Sequence, residues 1–243
     1  MPLNIHAPSL GLGVAIAAIS ILGVFFVLDF GVSENDNPNA KVKLSDNTEQ
    51  AKGSDSNNIE MSLFSAKATT LLGSQDATIT LVEFGDYQCF YCNRFYHNTE
   101  SDIVKNYVDT GKVKIIFKDF TIIGQDSVNA AHASHCANEK GRFWEYHDIL
   151  YNHWTGENNG WASSDNLLEF AKQAGLDETT FSECMSEGRY ISVIEQSNSD
   201  AKTLGITGTP AFFILRSDNT ITRITGAQPY EVFEKIFELK LEK

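Results

Sequence analysis

The segment Ala77–Cys92, ATITLVEFGDYQCFYC, decides the fold. Its first half, Ala77–Phe84, is apolar and rich in β-branched residues, which indicates a buried strand. A helix is predicted from Phe90 to Val108, beginning at the cysteine pair, and VKIIFKDF (Val113–Phe120) predicts a second strand. A strand, a helix and a strand at this spacing favour a βαβ unit with a parallel strand pair.

Four further stretches of helical character predict a helical block over about residues 125–205. The stretches are residues 126–140, 143–153, 167–174 and 191–204. Gly141 follows the first stretch and Gly205 the last, as expected for glycines that end helices. Ser164 and Asp165 are the candidate N-caps of the third helix, because short polar side chains bind free amide groups at a helix start.

The C-terminal part predicts a hairpin and a last helix. PAFFIL (Pro210–Leu215) and TITRIT (Thr220–Thr225) are strand-like runs around a turn at residues 217–219. Pro229 is placed like a proline in the first turn of a helix. The side chains of that helix expected to face inward are Tyr230, Phe233, Ile236 and Phe237. The order βαβ, helical block and ββα predicts the α/β fold class, with a helical insertion in a small domain.

Residues 1–60 predict a membrane anchor and a polar tether. Leu10–Leu28 contains 19 residues without a charge, and a helix needs about 20 apolar residues to cross the hydrocarbon core. A cleaved signal peptide is the alternative, but such peptides begin with basic residues and residues 1–9 contain no Lys or Arg. We therefore expect an N-terminal tail (1–9), one transmembrane helix (10–28), a linker (29–60) and a folded domain (61–243).

The composition argues against nucleic acid as a partner and against a zinc ribbon. The 243 residues carry a net charge of −13, whereas phosphate binding needs clustered Lys and Arg. A close pair of cysteines, Cys89 and Cys92, stands beside the isolated Cys136 and Cys184, and a zinc ribbon would need a second Cys-x-x-Cys. An even number of cysteines fits full pairing in an oxidising compartment.

Cys89-Phe90-Tyr91-Cys92 directly follows a predicted strand and begins a helix. The amide groups and dipole at a helix start stabilise an anion, so a thiolate is favoured at Cys89, and the thiolate is the reactive form of cysteine. Two intervening residues let the two sulfurs meet within one helical turn. Near a βαβ pattern, this spacing indicates a redox site. Half of a metal site and two unrelated buried cysteines are the alternatives.

Four motifs resemble segments of the DsbA-like thiol–disulfide oxidoreductases of the thioredoxin superfamily. LVEFGDYQCFYC (Leu81–Cys92) is similar to their active-site segment, and GTPAFFI (Gly208–Ile214) to their cis-proline loop. GRFWEYHDILY (Gly141–Tyr151) resembles their helical insertion, and GAQPYEVFEKIF (Gly226–Phe237) their last helix. The resemblance covers about residue 61 onward and implies a thioredoxin-like domain with a helical insertion.

The resemblance also implies roles for five residues. Cys89 would be the exposed sulfur that attacks and is attacked, and Cys92 its buried partner. Pro210 would carry a cis peptide bond with Thr209, whose backbone would bind an extended substrate segment. An ordinary trans proline at a strand start is the alternative. Glu83 would relay a proton to or from Cys92, unless it lies at a strand edge and faces water.

Cysteines at similar places in some DsbA-like proteins form a second disulfide, so the resemblance implies a Cys136–Cys184 bond. Two buried, reduced cysteines are one alternative. A metal site is the other, since His132, His135 and Cys136 share one helical face at spacings of three and four residues. We expect the disulfide and no bound metal.

The expected activity is thiol–disulfide exchange without a cofactor, in which the Cys89–Cys92 disulfide oxidises cysteine pairs of extracytoplasmic proteins. The substrates would be reduced or misoxidised proteins, and the resemblance implies a membrane redox partner that resets the site. A reductase or isomerase is one alternative, because strongly oxidising members of the family often have His between the cysteines and Phe90-Tyr91 has none. A chaperone for soft metal ions is the other.

Overall fold

The structure, a computed structural model, describes residues 61–65 and 70–242. A short helix, α1 (Ser62–Ser65), precedes the strands. The strands of this part of the chain are β1 (Leu71–Leu72), β2 (Ile79–Gly85), β3 (Val113–Asp119), β4 (Ala211–Arg216) and β5 (Ile221–Thr225). They form one sheet in the order β1-β3-β2-β4-β5. β2 and β3 are parallel, whereas β1, β4 and β5 are antiparallel to their neighbours. The predicted α/β fold with a parallel pair is confirmed.

β2 is the central strand of the sheet, and its side chains are buried on both faces. Leu81 pairs with Ile115 on β3 and with Ile214 on β4. These three residues share one apolar cluster, whereas Val82 and Phe213 belong to a cluster on the other face. The alternation follows from the two-residue repeat of a strand, and it explains why the run ATITLVEF is apolar almost throughout.

A long helical connection joins β2 to the parallel strand β3. It consists of α2 (Phe90–Phe95), a π-helical turn (Tyr96–Glu100), α3 (Ser101–Ile103) and a second π-helical turn (Val104–Val108). The predicted helix therefore has the expected length, but two π-helical turns interrupt its regular hydrogen bonding. Helical spacing in the sequence does not distinguish an α-turn from a π-turn.

Five helices between β3 and β4 form the helical insertion. They are α4 (Gln125–Asn138), α5 (Phe143–Asn152), α6 (Ser164–Gln173), α7 (Glu178–Glu187) and α8 (Ile191–Thr203). Their buried faces meet in an aromatic core that includes Phe143, Tyr146, Phe170 and Phe181.

The start of α6 and the existence of α7 differ from the sequence prediction. The N-cap of α6 is Ser163, which accepts a hydrogen bond from the Asn166 amide, so neither Ser164 nor Asp165 is the cap. Helix α7 was not predicted because its apolar stripe is weak. Its start is fixed by Asp177, whose carboxylate accepts a hydrogen bond from the Thr180 amide at 2.9 Å.

The last helix, α9 (Tyr230–Leu241), packs on the sheet through two phenylalanines. Phe233 and Phe237 are fully buried, whereas Tyr230 and Ile236 are half-buried. Pro229 is the N-cap and has extended backbone, so it lies one position before the first helical turn in which it was predicted.

None of the helices in residues 61–65 and 70–242 has the length and apolar character needed to cross a membrane. The predicted tail (1–9), span (Leu10–Leu28) and linker (29–60) lie outside the described residues.

Candidate functional site

The turn between β2 and α2 is held by the buried side chain of Asp86. Its Oδ1 accepts a hydrogen bond from the Gln88 amide at 2.9 Å, and its Oδ2 accepts from the amides of Ile122 and Ile123 at 2.9 and 3.2 Å. The Asp86 carbonyl oxygen also accepts from the Cys89 amide at 2.9 Å. One side chain therefore ties the active-site turn to the segment that follows β3.

Cys89 is the N-cap of α2 and carries a stabilised sulfur. Its Sγ accepts a hydrogen bond from the Cys92 amide at 3.4 Å and lies 3.3 Å from the Thr209 carbonyl oxygen. The pKa of Cys89 is lowered to about 6, chiefly by a hydrogen bond from the Cys92 thiol. Burial opposes this shift, and the hydroxyl of Thr209 and the amides of Cys92 and Tyr91 support it. At neutral pH the Cys89 thiol is therefore mostly ionised.

Cys89 is less exposed than predicted. It is 5 % exposed, whereas the two residues between the cysteines, Phe90 and Tyr91, are 49 % and 51 % exposed. The Thr209 carbonyl lies against the sulfur on one side, and the aromatic ring of Phe90 leans towards Trp154 of the insertion. The dipeptide, rather than the sulfur, therefore forms most of the local surface.

Cys92 has the opposite chemical character. Both cysteines are free thiols in this structure, and Cys92 is completely buried. Burial raises the pKa of Cys92 well above its usual value, and the nearby Cys89 and Glu83 raise it further. One cysteine is thus held as a thiolate and its neighbour as a thiol, which is the asymmetry that directional thiol–disulfide exchange requires.

The loop before β4 lies beside the cysteine pair. The peptide bond between Thr209 and Pro210 is cis. Pro210 is buried and its carbonyl oxygen accepts a hydrogen bond from the Gly226 amide at 2.9 Å, while Thr209 remains half-exposed next to Cys89. Thr209, a partly exposed residue beside the sulfur, is therefore placed where an extended peptide could bind.

Glu83 lies within the central strand and is 2 % exposed. It stands opposite Phe117 on β3 and Phe212 on β4, so the alternative of a water-facing carboxylate at a strand edge is wrong. Burial raises the pKa of Glu83 well above its usual value, and the charges of Glu100 and Cys89 add to the effect. Glu83 is therefore a neutral, buried acid that can give or take a proton beneath the cysteines.

Cys136 on α4 and Cys184 on α7 form a buried disulfide with a Cα–Cα distance of 5.9 Å. The bond joins two helices of the insertion that are separated by 48 residues in sequence. His135, the other member of the predicted metal group, lies 2.7 Å from the carboxylate of Asp119 instead. His132 contributes a buried ring beside Tyr190.

In the described ranges, two groups place possible metal-ligand atoms within 4.8 Å of one another. In the first, His132, Cys136 and Cys184, the two sulfurs are bonded to each other and have lost their thiolate character. The second, Glu100, His147 and Asp148, has the donors of a metal site, and its two carboxylates line a cavity of about 450 Å³.

Gln88 and the loop between α5 and α6, here called the insertion loop (residues 153–163), were not predicted to belong to the site. Gln88 is completely buried, and its amide group donates to Ser127 Oγ at 3.1 Å and accepts from the Asn158 amide at 2.7 Å. Its backbone carbonyl accepts from Trp154 Nε1 at 2.8 Å. A polar residue directly before Cys89 was the available signal, but sequence periodicity does not indicate which distant loop would satisfy it.

Comparison with known proteins agrees with this geometry. A family model described as thioredoxin matches residues 65–237. The disulfide bond formation protein D of Bacillus subtilis is 29 % identical over 153 residues, which cover 62 % of this chain and 69 % of that protein.

Two solved structures are also similar. Oxidised BdbD from Bacillus subtilis has a TM-score of 0.66 and 26 % identity over 73 % of this chain and 95 % of its own. α-DsbA1 of Wolbachia pipientis has a TM-score of 0.64 and 26 % identity over 70 % and 89 %. The resemblance to DsbA-like proteins is confirmed.

Proposed function

The chain belongs to the thioredoxin family and is a protein-disulfide oxidoreductase, and we propose that it oxidises cysteine pairs of protein substrates outside the cytoplasm. The observation that carries the proposed direction is the opposite pKa shifts of Cys89 and Cys92. Stabilisation of the Cys89 thiolate lowers the free energy of the reduced protein. The disulfide form carries no thiolate, so its free energy is not lowered in the same way. The equilibrium therefore favours the reduced enzyme and an oxidised substrate.

In the first step, a substrate thiolate attacks Sγ of Cys89 in the Cys89–Cys92 disulfide. The bond between the enzyme sulfurs breaks, a mixed disulfide forms at Cys89, and Cys92 leaves as a thiolate. Because Cys92 is buried and its pKa is raised, this thiolate takes up a proton, and the neutral Glu83 acid is the proposed donor.

In the second step, the second thiolate of the substrate attacks the substrate sulfur of the mixed disulfide. The substrate disulfide forms, and Cys89 leaves as the thiolate that its hydrogen bonds stabilise. The two steps together convert one enzyme disulfide and one substrate dithiol into one enzyme dithiol and one substrate disulfide. The backbone of Thr209, a partly exposed residue next to Cys89, would hold the substrate segment extended during both steps.

We further propose that Leu10–Leu28 anchors the protein in a membrane, with the domain on the side away from the cytoplasm. The proposal rests on the uncharged run of 19 residues and on a disulfide-bonded insertion, since disulfides persist in oxidising compartments. A membrane redox partner would then reoxidise the Cys89–Cys92 pair after each turnover. Protease added to intact cells should remove the domain, and protection until the cells are lysed would contradict the proposed side.

The experiment that tests the function uses the full-length protein and a reduced, unfolded substrate. The wild-type disulfide form should form disulfides in the substrate and end as the dithiol. The Cys89→Ser variant should lack this activity. In the reverse reaction with a disulfide-bonded substrate, the Cys89 thiolate of Cys92→Ser should attack the substrate disulfide, release one substrate thiolate and accumulate as a mixed disulfide, since no enzyme thiol can release Cys89. Undiminished activity of Cys89→Ser would refute the assignment, and reduction of substrate disulfides as the favoured direction would replace the oxidase with a reductase.

A further inference from the structure

The insertion loop places an acidic side chain against the residue that directly follows the active-site cysteine. The carboxylate Oε1 of Glu157 accepts a hydrogen bond from the Phe90 amide at 3.1 Å. Phe90 immediately follows Cys89 in the chain, so this contact puts a negative charge next to the residue that carries the thiolate. Glu157 comes from the α5–α6 connection, 67 residues away in sequence.

The position of Glu157 is fixed by its neighbours on both sides. Trp154 Nε1 donates to the Gln88 carbonyl at 2.8 Å, and the Asn158 amide donates to Gln88 Oε1 at 2.7 Å. A side chain at Gly124 would place its Cβ 2.3 Å from Asn158 Oδ1, so the loop is packed closely against the segment after β3. The backbone of the insertion loop is therefore held in place on both sides of Glu157, which fixes the position from which its side chain contacts Phe90.

We propose that Glu157 is a positioning residue that sets the redox equilibrium of the Cys89–Cys92 pair through its negative charge. The inference rests on the proposed function, in which the reduced enzyme carries a thiolate at Cys89. The Glu157 carboxylate repels that thiolate but acts on no such charge in the disulfide, so it moderates the oxidising power of the protein.

Other titratable or charged groups lie around the same residue. The protonated Glu83 and Cys92 side chains both interact with Cys89, and the Cys89 charge helps to raise the pKa of each. Arg94 lies farther along α2, with its guanidinium carbon 4.9 Å from the centre of the Tyr91 ring. Glu157 differs from Glu83 because it is exposed to solvent, so its influence is screened by salt, whereas that of a buried group is screened much less.

The test compares wild-type and Glu157→Gln full-length protein in glutathione buffers at neutral pH. Glutamine keeps a hydrogen-bond acceptor for the Phe90 amide and removes only the charge. The measured equilibrium converts the enzyme disulfide and two glutathione thiols into the enzyme dithiol and glutathione disulfide. Because exposed charges interact weakly, the equilibrium constant of Glu157→Gln should be about threefold larger, which raises the reduction potential by about 14 mV. The pH dependence of Cys89 alkylation should show a lower pKa in the variant.

Two controls separate the charge of Glu157 from its contacts. Glu183→Gln removes an equally exposed charge on α7 and should leave the equilibrium constant unchanged. Between about 0.01 M and about 1 M salt, the Debye length falls from about 30 Å to about 3 Å, so the difference between wild type and Glu157→Gln should disappear.

An unchanged or smaller equilibrium constant in Glu157→Gln would overturn the inference, as would a threefold change in Glu183→Gln or a difference that persists at high salt. Failure of the proposed function looks different. In that case the wild-type cysteine pair would not equilibrate with glutathione, or would do so with the disulfide strongly favoured, whatever the residue at position 157.

Discussion

The lowered pKa of Cys89 predicts that the stability of the reduced protein rises with pH, relative to that of the disulfide form. The pKa falls from a reference value of 9.0 to about 6 in the folded protein. A group whose folded pKa is depressed adds stability above its unfolded pKa, and this stability is lost as the pH falls through the folded pKa. Between about pH 5 and about pH 8, the reduced protein should therefore gain up to about 2.7 kcal/mol. Screening by the solvent that reaches the neighbouring half-exposed Phe90 and Tyr91 should reduce this gain to roughly half.

Urea denaturation of both redox forms at several pH values measures this gain. The disulfide form is the internal control, because it has no ionisable Cys89 and most carboxylates titrate equally in both forms. Glu83→Gln is the second control, since the charge of Cys89 raises the pKa of Glu83 in the reduced form. A difference in the free energy of unfolding that stays constant from about pH 5 to about pH 8 would refute the reasoning. So would a thiolate absorbance that titrates near the ordinary pKa of cysteine.

Three further predictions concern groups around the site. Replacing Cys136 and Cys184 together by Ala should lower the free energy of unfolding by up to about 4 kcal/mol, since the bond closes a loop of 48 residues; the reduction potential of the active-site pair should not move, and both are measured on the full-length protein. Glu83→Gln should slow reduction of the active-site disulfide by dithiothreitol by about tenfold or more at neutral pH, because glutamine has no proton to give; an unchanged rate in stopped-flow measurements would exclude Glu83 as the donor. Gly124→Ala should change the free energy of unfolding by less than about 1 kcal/mol, because the new methyl group would lie 2.3 Å from Asn158 Oδ1, the outer end of an exposed side chain that can rotate away; a loss of several kcal/mol in urea denaturation would contradict it.

The central strands and the cysteine motif could be predicted from the sequence because both are local signals. ATITLVEF is buried on both faces, and its continuous apolar character predicts a central strand even when the neighbouring strands are unknown. Helix α7 could not be predicted in the same way, since its first turn is fixed by the single side chain of Asp177 and much of its surface is polar. The exposure of Cys89 was also beyond the sequence, because it depends on Thr209, 120 residues later in the chain.

The redox character of the Cys89–Cys92 pair arises from parts of the chain that are far apart in sequence. Residues on β2, α2 and the loop before β4 surround the two sulfurs. Helix α2 and this loop supply the hydrogen bonds that stabilise the Cys89 thiolate, and burial keeps Cys92 protonated. The helical insertion adds a different element, since Trp154 and Asn158 bind Gln88 directly before the motif. A substitution in the insertion loop can therefore alter the surroundings of the Cys89 sulfur, because the buried Gln88 connects that loop to Cys89. Substitutions in the insertion loop should consequently shift the redox equilibrium more than substitutions of equal size on the outer face of α7, although both lie in the same helical insertion.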